Sequence, residues 1–99
     1  MGNSYKSAAL LTEGRLDHLA AMGDAAALYD LGIAYSSGTN GYDVDLVQAH
    51  KWFNLAALSG SVEAQECRAE IADEMSAREI AEAQRQARAW LVLNQRQAA

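Results

Sequence analysis

Stretches rich in leucine and alanine alternate with glycine-marked breaks along this chain, and the breaks divide it into helices. Asp24 is placed to cap a helix that runs through "AAALYDLGIAYSS" and stops at Gly38. The segment "GTNGYDV" then reads as a loop, its two glycines flanking an asparagine, residues that tolerate positive φ. Asp45 caps a second helix, with Gln48 at the third helical position to answer it and Val44 and Ala49 placed as a hydrophobic staple. That helix continues through "LVQAHKWFNLAALS" to Gly60. Residues 62 to 94 would read as one long helix but for Ser76. There "SARE" at 76–79 is a capping box, and Met75 with Ile80 completes a staple, so the chain breaks near Ser76. The last helix is longer than its counterpart and absorbs the missing loop. Ahead of all this, "SYKSAALLTEGRLDHLAAMG" predicts a helix ending at Gly23, with Gly14 inside it at a cost of ~1 kcal/mol relative to alanine. The expected fold is all-α, with five helices.

The pattern is written twice. "QAHKW" at 48–52 returns as "QARAW" at 86–90, 38 positions later, and "GDAAA" at 23–27 faces "GSVEA" at 60–64, 37 positions later. Two markers agreeing on nearly one period indicate a repeat of the length used by helix-pair solenoids. The division is a leading half-repeat at 1–23, a full copy at 24–60, a degenerate capping copy at 61–94 and a tail at 95–99. One hairpin cannot bury both of its apolar faces, so stability is expected from stacking.

Composition narrows the function. The 99 residues suffice for one small domain, and the absence of proline favours helix throughout. A formal net charge of −5 with no basic stripe argues against nucleic acid and against anionic lipid as partners. Cys67 is the sole cysteine, which rules out an internal disulfide and fits a reducing compartment. The N-terminal apolar run is too short for a secretory signal, and no stretch approaches the ~20 apolar residues of a membrane span. The "MG" start has Lys6 where a myristoylation site wants serine or threonine. A soluble cytoplasmic protein is expected.

At these residues the chain resembles the bacterial Sel-1-like repeat proteins, relatives of the tetratricopeptide class. Ala27, Leu31, Gly32, Tyr35, Gly38, Gly41, Asp45, Ala49, Trp52, Ala56, Ala57 and Gly60 follow the family's pattern in order. One residue too many stands between Gly38 and Asp45, and Tyr42 replaces a small aliphatic. In the second copy Ala64, Ala87 and Trp90 remain, while Arg68, Ala69 and Ala72 replace the leucine, glycine and aromatic. The resemblance implies a short right-handed α-solenoid of antiparallel helix hairpins, about two and a half repeats. It also implies an adaptor or scaffold role in protein–protein interaction, without a reaction or a cofactor.

No catalytic constellation and no metal site is expected. His18 and His50 each sit alone in a helix and read as surface or boundary residues. Cys67 shares an apolar face with Ala64, Ile71 and Met75 and reads as a buried structural thiol. A hydrolase in the groove would need a nucleophile and base at workable spacing, and none is present. Electrostatics offers more. Glu63, Glu66, Glu70, Asp73 and Glu74 recur at steps of three and four, within an arc of roughly 100° on one helix face. By the tetratricopeptide layout they line a concave groove together with Tyr29, Ile33 and Ser36 of the first copy. Two readings follow: a solvated face partly neutralised by Arg78, Arg85 or Arg88, or a docking site for a basic peptide or helix. The exposed apolar run Trp90, Leu91, Val92 and Leu93 either folds back on the last hairpin or forms a homo-oligomer contact, which would make the chain a self-associating structural module.

Overall fold

The structure is a computed structural model that describes residues 18–98. Every regular element among them is a helix: α1 (Ala25–Ser37), α2 (Leu46–Leu58), α3 (Val62–Ala72) and α4 (Ala77–Ala98), preceded by a helical turn at 18–21. The body of the expected leading helix, with Gly14, lies outside the described residues.

The expected caps at Asp24, Asp45 and Ser76 are in place, and Ser61 supplies a further one. Asp24 Oδ1 accepts from the Ala27 amide at 3.0 Å, Asp45 Oδ1 from Gln48 at 3.1 Å and Ser61 Oγ from Ala64 at 3.1 Å. Each removes an orphan donor from a helix start. The capping box at the start of α4 is closed in both directions, Ser76 N–H to Glu79 Oε1 at 2.8 Å and Glu79 N–H to Ser76 Oγ at 3.1 Å. Asp45 and Gln48 form only half of one. The Asp45 amide donates instead to the Tyr35 carbonyl, which frees the Gln48 side chain for α4. Val44 does not act as a buried staple; it is exposed and lies over Gly38.

One turn geometry occurs twice in the backbone. Gly23 N–H bonds to the Ala20 carbonyl and Asp24 N–H to Leu19; Gly60 N–H bonds to Ala57 and Ser61 N–H to Ala56. Both glycines hold left-handed φ, 81° and 107°, which a side chain would strain. The same turn thus occurs twice at a spacing of 37 residues.

α2 is the centre of the packing, and α1, α3 and α4 all lie against it. Phe53, Leu28, Leu31 and Leu55 are fully buried, each contributing roughly 1.5–3 kcal/mol through removal from water. Ala27, Ala49, Ala56, Ala64 and Ala87 let the backbones approach. Gly32 matters most: a Cβ there would lie 2.5 Å from the Phe53 ring, so the ring occupies the space a side chain would need. α1 and α2 are thereby held closely together, with Tyr35 meeting Tyr42 of the intervening loop edge-on at 4.7 Å.

α3 and α4 are not closed on each other in the same way. α3 and α4 pack on α2 far more than on each other. Gln48 and Trp52 of α2 meet α4, whereas Asn54 of α2 accepts from Arg68 Nη1 of α3. At 3.6 residues per turn Asn54 lies roughly 120° around α2 from Gln48 and roughly 160° from Trp52. The physical reason is in α3: Arg68 and Ala72 stand where Leu31 and Tyr35 seal the first hairpin, so α3 has little to offer α4. α4 compensates by length. Leu46 shifted by 38 residues falls at 84, yet α4 begins at Ala77, two turns earlier, taking up the residues that form a loop in the first copy.

Candidate functional site

Asp73 and Glu74 follow the C-terminal end of α3, and Glu63, Glu66 and Glu70 are placed by the helix itself, which buries little. Ala64 is its one fully buried residue; Cys67, Arg68, Ile71 and Ala72 are half-buried, and Glu63, Glu66, Glu70, Asp73 and Glu74 are exposed. None of the five forms an ion pair among the described residues. The expected neutralisation by Arg85 does not occur, because Arg85 turns along its own helix and donates Nε and Nη2 to Glu82. That pair, with Gln86 as a second donor, holds the Glu82 carboxyl down at about 2. Asp73 caps the C-terminal end of α3 and Glu74 follows it, where the helix dipole is already negative.

The structure joins only part of the expected groove. Tyr29 and Glu63 line one cleft of ≈ 450 Å³ with Ala25, Ala26 and the turn Ser59–Ser61, between the starts of α1 and α3. The Tyr29 ring leans on Phe53 at 5.8 Å, and its Oη accepts from the Cys67 thiol at 3.9 Å. That hydrogen bond and burial, with the Glu63 and Asp30 carboxylates adding, push the phenol upward. Ile33 is half-buried against the core, and Ser36 Oγ donates to the Ile33 carbonyl at 3.1 Å. Neither lines the cleft with Tyr29. Glu66, Glu70, Asp73 and Glu74 continue along α3 beyond it.

Two expectations are corrected here. Cys67 is half-buried with its thiol on Tyr29, not sealed in the core. His18 is exposed as expected, but His50 is only 4% exposed and its Nδ1 has no hydrogen-bond partner among the described residues. Burial, and then the charge of Arg68, lower its pKa. The sequence signal was present: His50 lies one position from the fully buried Ala49 and three from Phe53, on the flank of the buried face.

A second cleft was missed altogether. Lys51, Arg85, Gln86, Ala89, Trp90 and Leu93 enclose ≈ 220 Å³ between α2 and α4. Gln48 Nε2 donates to Gln86 Oε1 at 2.7 Å, and Trp52 meets Trp90 edge-on at 5.9 Å. The repeated "QA··W" strings therefore touch each other, a consequence their identity did not announce. Lys51 Nζ sits 4.4 Å from the Trp52 ring centroid, and burial lowers its pKa. Leu93 and Val92 beside it are 58% and 52% exposed.

No family model, no curated protein and no solved structure matches this chain. Among the described residues no group of three or more His, Cys, Asp or Glu side chains is arranged to hold a metal ion, and no helix is long and apolar enough to cross a membrane.

Proposed function

We propose that this chain is a non-enzymatic adaptor of the Sel-1-like kind, acting in the bacterial cytoplasm, whose acidic α3 face docks a basic or amphipathic protein segment. In this reading α1, α2 and α3 form the start of a right-handed solenoid of helix hairpins, and α4 lies across it as a cap. The twice-made turn at Gly23 and Gly60 supports the repeat. Nucleic acid and membrane are not its partners, and it carries no cofactor.

The observation that carries the proposal is the row of five exposed carboxylates with no cation paired to them among the described residues, reaching Glu63 in the cleft beside Tyr29. A basic partner would gain charge pairing along α3 and an apolar anchor at Tyr29. Its association would be steered by charge and would weaken as salt rises.

Paired capture from source-cell lysate tests this, read by mass spectrometry. One bait is the natural chain; the other has Glu63, Glu66, Glu70 and Asp73 changed to Lys, with its helicity checked by circular dichroism. The expected result is a protein retained by the first bait and lost by the second, and released from the first by salt. Recovery of the same proteins by both baits would leave the α3 face as no more than a solvated surface.

A further inference from the structure

The α2–α4 cleft has a different character from the cleft at Tyr29. Its floor is apolar, made by Ala89, Trp90 and Leu93, and its rim carries two cations, Lys51 and Arg85. Lys51 faces an aromatic ring and meets no carboxylate among the described residues. Arg85 spends Nε and Nη2 on Glu82 but remains 63% exposed, with Nη1 unused among those residues. A basic-rimmed apolar slot selects an acidic helix that also offers small apolar side chains.

Such a helix is present in the same molecule. The exposed side of α3 reads Val62, Glu66, Ala69, Glu70, Asp73, with Val62 62% exposed. The two features cannot meet within one chain, because α3 and α4 lie on different sides of α2 and pack little on each other. They are free to meet between chains. We infer that the cleft formed by Lys51, Arg85, Trp90 and Leu93 receives the acidic α3 face of a second copy, so that the chain self-associates head to tail. The contact is heterologous, since each copy uses a different surface. Successive copies therefore form a ring if the rotation closes and an open array if it does not. This rests on the reading of the α3 face as a docking surface and names its occupant.

Sedimentation equilibrium over a range of protein concentrations tests it, with three variants. The first carries Glu66→Lys and Glu70→Lys, the second Lys51→Glu and Arg85→Glu, the third Leu93→Ser at an exposed position. The natural chain is expected to exceed its monomer mass of 10.7 kDa with rising concentration. It should return toward that mass as salt shortens the Debye length from about 10 Å to about 3 Å. Each variant alone should associate about tenfold or more weakly, the scale set by lost charge and apolar complementarity. Mixing the first two should restore association, because every contact then joins opposite charges. A monomer at all concentrations, or no recovery on mixing charge variants that remain helical, overturns the inference. The two readings fail differently. A monomeric chain that still binds a Lys- and Leu-rich helical peptide through Glu66 and Glu70 keeps the acidic face as a docking site and removes only the second copy as its occupant.

Discussion

His50 is a histidine held away from its ordinary protonation behaviour by burial. It is buried, its Nδ1 is unpartnered among the described residues, and Arg68 lies near enough to oppose its protonation. The folded chain therefore binds a proton at His50 less readily than the unfolded chain, whose imidazole titrates near its ordinary value of 6.5. By linkage, the stability that goes with a neutral His50 is fully present above that value and is lost as the pH falls below it toward the folded pKa. Thermal unfolding followed from pH 8 down to pH 5 should show a falling midpoint below about 6.5, the ordinary histidine pKa. His50→Leu should flatten that slope. An identical slope in the variant would assign the pH dependence to other groups.

Among the elements, α4 depends most on its start. It is the longest helix among the described residues, 22 residues, and its first two turns pass beyond the stretch that pairs Gln86 with Gln48 and Trp90 with Trp52. The reciprocal bonds of Ser76 and Glu79 therefore set where it begins. Ser76→Ala is expected to cost about 0.5–2 kcal/mol in urea unfolding, the usual range for a lost N-cap. Amide hydrogen exchange should accelerate at residues 77–80 and stay unchanged in α2. Uniform acceleration would show instead that α4 and α2 open together. α3 is the opposite case, a short helix with a narrow buried side, held by Ser61 at its start and by the Arg68–Asn54 bond along its length.

In the molecule as a whole, the charge on α3 works against stability. The like-charge pairs Glu63–Glu66 and Glu66–Glu70 within α3 each cost about 0.2–0.5 kcal/mol, and no cation among the described residues offsets them. Glu66→Gln with Glu70→Gln should raise the urea midpoint, because both like-charge pairs are removed and Glu70 sits in the unfavourable half of the helix dipole. Lost binding in the same variant would show stability spent on a surface that function requires. An unchanged or lowered midpoint would mean that these carboxylates have stabilising partners.

Local chemistry made much of this molecule legible beforehand. Asp24, Asp45 and Ser76 act through bonds to amides three residues on, so a capping residue at the right spacing is enough to place a helix start. Gly23 and Gly60 act through their own φ, and the turn they make is repeated because the residues around it are. The side of α2 on which α4 settles and the contact of Gln48 with Gln86 were not legible. Each depends on which helix faces which, and that choice is made by the packing of Phe53 on Gly32 and of Trp52 on Trp90 across long stretches of chain. The five carboxylates of α3 belong to both descriptions. Their spacing along the helix follows from the amino-acid order, while their lack of a cation arises because tertiary packing carried α4 and its arginines to another side of α2.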